Sequence, residues 1–409
     1  MAATESVDAR ARGAAAVTLV LCFLTATIEG IDLQSMGIAA PKLGPEFRLD
    51  PHQLGTVLTA SPLGLFFGAF IGGRVADSFG RKGALILAMA VFGVFQLSTA
   101  WVAGFWPLVL IRFACGLGLG GALPNLIALT SEASGGKNDI LNVVITAAGM
   151  PTGGALASYV AFLGGAHGDW RTVFYIGGVA PLLLAPVMAF ILPESLAFTQ
   201  ARAAARQTGD RVNTLKALFG EDRTPTSLLL WIAFFGTTLV TYLLLNWLPV
   251  LMVAKGFSKP EASFIQIFFN IGSAAGSILL GWWMQRRPRR LILLVCYVGV
   301  AASLVGLMSV TKGVLVASVG EAVVGGFLLG AQYILYGLTP AYYRTVFRGT
   351  GTGAAVAAGR LGSAAGPQLG GLLLGAGRST GEVLQALLPV TAVAAAAAIL
   401  LMFRKRTSD

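Results

Sequence analysis

Charge is scarce in this sequence. Asp, Glu, Lys and Arg make up 11 % of its 409 residues, 56 % are hydrophobic, and the mean hydropathy is +0.76. A water-soluble chain of this length cannot cover so much apolar surface with so few charges, so a soluble globular protein is excluded and a lipid environment implied. Cysteine is nearly absent: Cys22, Cys115 and Cys296 all fall within apolar runs. That excludes a disulfide framework and a CxxC metal site, and leaves packing as their expected role. The two histidines, His52 and His167, fall at expected outer loop edges, where a solvated ring is the ordinary reading. No nucleophile–base or metal constellation can be assembled, which argues against a membrane enzyme. Period-two alternation with turns about every ten residues is also missing, which argues against an outer-membrane barrel.

What is present is a series of long apolar runs. A spanning helix needs roughly 20 mostly apolar residues. Twelve stretches qualify: 14–40, 53–73, 83–102, 106–133, 141–165, 172–192, 226–253, 261–284, 291–310, 313–338, 350–374 and 383–403. The expected fold class is therefore an all-α membrane protein with twelve transmembrane helices. The first run is too long for a signal-peptide core and lacks a cleavage site, so it is expected to be retained.

The net charge of +11 invites a nucleic-acid partner, but its distribution argues otherwise. With the N-terminus on the cytoplasmic side, 20 basic residues, from Arg10 and Arg12 to Lys405 and Arg406, fall in cytoplasmic segments. Only seven fall opposite: Lys42, Arg48, Arg171, Lys255, Lys259, Lys312 and Arg378. This positive-inside bias places both termini in the cytoplasm and needs no nucleic acid.

The longest polar stretch, 193–225, divides the runs six and six. It suggests an N-terminal half (1–192), a cytoplasmic linker (193–225) and a C-terminal half (226–409). Gly64, Gly68 and Gly73 recur at identical spacing as Gly272, Gly276 and Gly281, and Gly149, Gly153 and Gly154 correspond to Gly366, Gly370 and Gly371. Two matched triplets in corresponding runs point to internal duplication. Small residues let helices approach closely in lipid, and two such halves around a midplane site form a rocking carrier.

An ionisable group at bilayer depth costs about 2.5–3.5 kcal/mol on insertion scales, so each is a functional candidate. Glu29, Asp32, Arg112, Glu321 and Arg360 lie within runs, and Glu132 lies near a cytoplasmic end. Glu29 and Asp32, three apart, share a helix face. Counted at 1.5 Å per residue from the outer ends of their runs, Asp32 and Arg112 both lie roughly 9–12 Å deep. Equal depth allows an ion pair, and two acids facing one Arg leave a surplus carboxylate to take up and release a proton. The plainer alternative is a permanent structural pair. Arg360 falls near the midplane with no acid close by in sequence. Its planar fork matches a carboxylate, although pairing with an acid of another helix stays open. Glu321 is read as lying shallow against a polar crevice and receives no role. Tyr242 and Asn246 share one face of the seventh run, as Gln332 and Tyr336 do in the tenth. These groups suit a ring hydroxyl, with Trp247 and Tyr333 as apolar walls, or else they pack helices.

The loop Gly73-Arg74-Val75-Ala76-Asp77-Ser78-Phe79-Gly80-Arg81-Lys82 resembles the signature loop of the major facilitator superfamily. Arg112-Phe113-Ala114-Cys115-Gly116-Leu117-Gly118-Leu119-Gly120 is similar to its fourth-helix motif. Glu29-Gly30-Ile31-Asp32-Leu33-Gln34 resembles the acidic first-helix motif of the aromatic acid:proton symporters within it. The stretch from Asn125 to Ala133 and Asn246-Trp247-Leu248-Pro249 look like the branch of that family that carries hydroxyphenylpropionates. The resemblance implies import of a small aromatic carboxylic acid with protons, by a monomer in the bacterial inner membrane. The gradient drives it and no cofactor or metal is needed. It also implies functional roles for Glu132 and Arg360, and an inner gate at Asp77, Gly80 and Arg81; ordinary loop charge is the alternative there. Departures exist: Gln285 stands where an acid is usual, and the loop from Gly135 to Asp139 lacks the usual arginine. Gly149-Met150-Pro151-Thr152-Gly153-Gly154 partly resembles a motif of drug-export antiporters, so export is the rival reading. A non-transporting membrane receptor is the second rival.

Overall fold

Lipid offers no water to take up backbone N–H and C=O groups, so each apolar run must satisfy them within its own helix. The computed structural model describes residues 2–122, 126, 129–130, 133, 139–165, 167–192, 218–220, 223–284, 286, 288–310, 313–343 and 348–404. Among these, twelve α-helices occur. They are α1 (Ala2–Glu46), α2 (Pro51–Phe79), α3 (Arg81–Ser98), α4 (Phe105–Gly120), α5 (Asp139–Leu163), α6 (Arg171–Ile191), α7 (Thr224–Ala254), α8 (Lys259–Met284), α9 (Arg289–Ser309), α10 (Val314–Leu338), α11 (Arg348–Gly375) and α12 (Thr380–Leu401). Nine helices among the described residues are long and apolar enough to cross a membrane, and α4 is a shorter apolar helix. Most of the expected linker, 193–225, lies outside the described residues.

The first helix continues six residues past the expected end at residue 40, through Pro41 and Pro45. Contacts hold this extension in place. The Lys42 ammonium donates to the carbonyls of Gly165 (2.9 Å) and Gly168 (2.8 Å), and the Trp170 indole donates to Glu46 Oε2 at 2.6 Å.

Several of the duplicated glycines lie at close helix contacts, although Gly281 faces open space. Gly64 and Gly68 of α2 have no room for a Cβ, because the backbone of α4 at Phe113 and Leu117 fills it. Gly272 and Gly276 of α8 meet α10 at Ala322 and Gly326 in the same way. Gly149 and Gly153 of α5 abut α1 at Phe23 and Thr27, while Gly366 and Gly370 of α11 abut α7 at Leu239 and Trp247. The first two members of each triplet therefore do similar work in both halves of the sequence, since close approach of helices replaces the hydrophobic drive that lipid removes.

The chain forms two compact units. The first comprises Met1–Ser35, Gly64–Ala157 and Arg171–Gly209, around a core that includes Leu21, Leu65, Leu85, Phe92, Leu119 and Met188. The second comprises Met36–Leu63, Ser158–Trp170 and Asp210–Asp409, with Phe234, Leu293, Tyr297, Leu335, Tyr343 and Leu401 in its core. Within this second unit the end of α1 and the start of α2 pack on α7 and α11. A Cβ on Gly37 would lie 2.5 Å from the Asn246 carbonyl oxygen, and one on Gly55 would lie 2.8 Å from Gly371 Cα. The Thr59 hydroxyl donates to the Ala364 carbonyl at 3.2 Å.

Candidate functional site

Contact between α1 and α5 runs along Gly30, Met150 and Gly153. Asp32 meets α4 instead. Its Oδ1 lies 2.8 Å from Arg112 Nη2, and the two side chains are 0 % and 1 % exposed. The pair that equal depth allows is thus made, and it is sealed from water. Arg112 Nη1 donates to Gln96 Oε1 of α3 at 2.5 Å, and Gln96 Nε2 donates to the Ser35 hydroxyl at 3.4 Å. The Cys115 thiol, one turn beyond Arg112, donates to Asp32 Oδ1 at 3.5 Å. Above the guanidinium lies the Phe174 ring of α6, with its centroid 5.8 Å away. Four helices therefore enclose one charged pair. Such a pair contributes little net stability, but removing one partner costs about 3–5 kcal/mol because a buried charge remains. Glu29, one turn earlier on α1, is 0 % exposed. Glu132 lies outside the described residues.

Sequence reasoning missed four members of this cluster: Ser35, Gln96, Cys115 and Phe174. Two left a signal. Gln96 is a lone amide in the otherwise apolar Leu85–Leu97 stretch, and Cys115 stands three residues from Arg112, on its face of α4. Cys115 thus belongs to a polar cluster, whereas the sequence suggested plain packing. Replacing Gln96 with leucine deprives Arg112 of an acceptor. That should destabilise the purified protein by about 1–3 kcal/mol, read as an earlier thermal transition in detergent.

A second group of sites lies in the second unit. Arg360 falls near the middle of α11 and is 9 % exposed. The Thr238 hydroxyl of α7 donates to the Gly359 carbonyl at 2.7 Å and fixes this stretch of α11. Phe234, one turn earlier on α7, contacts Gly359 and meets the Tyr336 ring of α10 edge-on at 5.1 Å. The half-buried Tyr336 and the Arg360 segment therefore flank the same phenylalanine. Tyr242 follows Thr238 by one turn on α7 and is buried. Asn246, also buried, turns its amide back to the Tyr242 carbonyl at 2.9 Å. Trp247 is 1 % exposed; its indole donates to the Pro367 carbonyl at 2.8 Å, and its ring occupies the space that Gly370 leaves beside α11. Gln332 and Tyr333 are half-buried on α10, and Gln332 Oε1 has no hydrogen-bond partner among the described residues.

The signature loop forms a sharp break between two helices. Gly80 has φ +89°, a conformation natural to glycine, and caps the start of α3. Asp77 is in the last turn of α2 and Arg81 opens α3; the Asp77 side chain lies outside the described residues.

A profile of the Major Facilitator Superfamily matches residues 22–367 and 251–409. A 3-(3-hydroxy-phenyl)propionate transporter of Escherichia coli (strain K12) is 43 % identical over 392 residues, covering 95 % of this chain and 94 % of the relative. A gallate transporter of Pseudomonas putida is 34 % identical, with 93 % of this chain and 90 % of the relative covered. Among solved structures, a D-xylose-proton symporter is similar with TM-score 0.77 at 17 % identity, over 95 % of this chain and 97 % of that one. That last likeness concerns the fold alone. Profile, relatives and helical architecture agree, and the chain belongs to the Major Facilitator Superfamily.

Proposed function

We propose that this protein imports a small aromatic carboxylate, 3-(3-hydroxyphenyl)propionate or a related hydroxylated acid, together with protons across the bacterial inner membrane. The kinship with transporters of hydroxyphenylpropionate and gallate supports the substrate class. The observation that carries the coupling is the sealed Asp32–Arg112 pair, since an ionisable group buried at membrane depth is a functional candidate. In this reading the chain spans the membrane twelve times as a monomer with both termini inside, and its halves, 1–192 and 226–409, are joined by the linker 193–225. The positive-inside bias and the repeated glycine contacts support that arrangement.

Asp32, Arg112, Glu29 and Glu132 move the proton. Arg360 receives the carboxylate, and Tyr242, Asn246, Gln332, Tyr333 and Tyr336, with Trp247 behind them, surround the ring. Asp77, Gly80 and Arg81 form the inner gate. The proton gradient supplies the energy and no cofactor takes part. Uptake by proteoliposomes of a panel of hydroxylated phenylpropionates, cinnamates and benzoates tests the assignment. Saturable uptake of an acid, with its uncharged amide ignored, is expected; indifference to the whole panel would refute it.

The contacts of Gly37, Gly55 and Thr59 with α7 and α11 read as an outer gate in its closed form. A rocking carrier must part them in every cycle. Gly55→Val would bring its Cβ to 2.8 Å from Gly371 Cα, so the gate should fail to shut. Transport should be lost, and a Thr59→Cys reporter should react several-fold faster with an impermeant maleimide from outside. The native cysteines are buried and give little background.

A further inference from the structure

One buried acid has no place in the scheme above. Glu321 was read from the sequence as shallow and facing a polar crevice, yet it is 0 % exposed. It is the eighth residue of α10. Its neighbour Gly320 packs on Leu307 of α9, and Ala322 packs on Gly272 of α8, so the carboxyl sits where three helices converge. Neither carboxyl oxygen has a hydrogen-bond partner among the described residues.

Lys255, which caps α7, is the one charged group among the described residues that faces it. Its ammonium is already committed: it donates to the carbonyls of Leu307, Met308 (3.3 Å) and Val310 (2.8 Å) at the end of α9. A lysine has three N–H donors, so none remains for Glu321. Burial lowers the Lys255 ammonium from the ordinary lysine range, and the facing Glu321 works the other way. The other titratable groups on the packed helices lie elsewhere. Lys259 and Glu261 are in the first turn of α8, and Arg289 and Arg290 open α9. Cys296 and Tyr297 lie nearer that inner end of α9, where the Tyr297 hydroxyl bonds Thr237 at 2.7 Å. Tyr242 is three turns before Lys255 on α7, and Tyr333 and Tyr336 are at least three turns beyond Glu321 on α10.

A dry carboxylate without a single hydrogen bond is far more costly than the neutral acid. In the conformation seen here Glu321 is therefore the acid, and Lys255 favours its ionisation once water arrives. We infer that Glu321 is a proton-binding site separate from the Asp32–Arg112 pair, which takes up its proton from water on one side, holds it while its pocket is dry and discharges it to water when the pocket opens to the other side, adding one proton to each transport cycle. The carboxylate takes a proton from water on one side and returns it to water on the other, with no other bond changed. This inference rests on the proton-coupled transport reading.

Two measurements on the full-length protein test it. Infrared spectroscopy of the protein in lipid, without substrate, should show the carbonyl stretch of a protonated carboxylic acid at neutral pH, and Glu321→Gln should remove that band. In proteoliposomes, the potential at which net substrate flux reverses gives the number of protons per substrate. Glu321→Gln should lower that number by one while counterflow persists. Lys255→Met, which leaves the carboxyl in place but withdraws the charge that discharges it, should lower the number likewise. A wild-type spectrum without the band, or an unchanged proton number in both variants, overturns the inference. A wild-type protein that moves substrate without any protons refutes the coupling itself, and the infrared band then still reports on Glu321.

Discussion

Replacing Arg360 with alanine should weaken binding of a hydroxyphenylpropionate by more than about 100-fold in a calorimetric titration. A hydrogen bond to a charged group contributes about 1.5–3 kcal/mol, a guanidinium fork offers a carboxylate two of them, and about 1.4 kcal/mol is tenfold in affinity. Arg360→Lys keeps the charge but loses the planar fork, so about a tenfold loss is expected with folding and insertion intact. Wild-type protein should prefer the acid over its uncharged amide, and both variants should lose that preference. The position suits the role. Arg360 lies mid-helix, keeps some exposure, and shares Phe234 with Tyr336. If the alanine variant binds the acid as wild type does, the anion site is elsewhere and Arg112 becomes the candidate.

Asp32→Asn should abolish accumulation driven by a pH gradient while sparing much of the substrate exchange. Import of a monoanion against 100 mV, inside negative, costs about 2.3 kcal/mol, and one accompanying proton only cancels that charge. In the proposed mechanism accumulation depends on protons carried with the substrate, whereas exchange at equal concentrations does not. The substitution also removes the negative charge 2.8 Å from Arg112, so stability should fall by about 3–5 kcal/mol. Asp32→Asn combined with Arg112→Gln removes both charges; it should recover most of that stability without recovering accumulation. Undiminished accumulation in the single variant removes Asp32 from the mechanism.

Helices were the most legible feature of the sequence, because lipid leaves an apolar run no other way to satisfy its backbone. The glycine triplets also marked where helices touch, from Gly64 against Phe113 to Gly366 against Leu239. Helix ends were harder to read. Nothing in the Lys42–Glu46 stretch announces that Gly165, Gly168 and Trp170 will hold it helical. Within the site, depth counting brought Asp32 to Arg112, since 1.5 Å per residue fixes level. It could not find Gln96, Ser35 or Phe174, whose place around the guanidinium depends on how α3 and α6 turn about their axes. The same limit put Glu321 at a crevice edge. Rotation of α10, set by Gly320 on Leu307 and Ala322 on Gly272, buries it instead.

The most direct test of proton-coupled import is the movement of protons themselves. Add a hydroxyphenylpropionate to weakly buffered proteoliposomes bearing no imposed gradient and follow the external pH. Symport predicts a transient alkalinisation outside, saturable in substrate and lost in Asp32→Asn. Acidification would instead mark an antiporter, and uptake with no pH change would contradict proton coupling altogether.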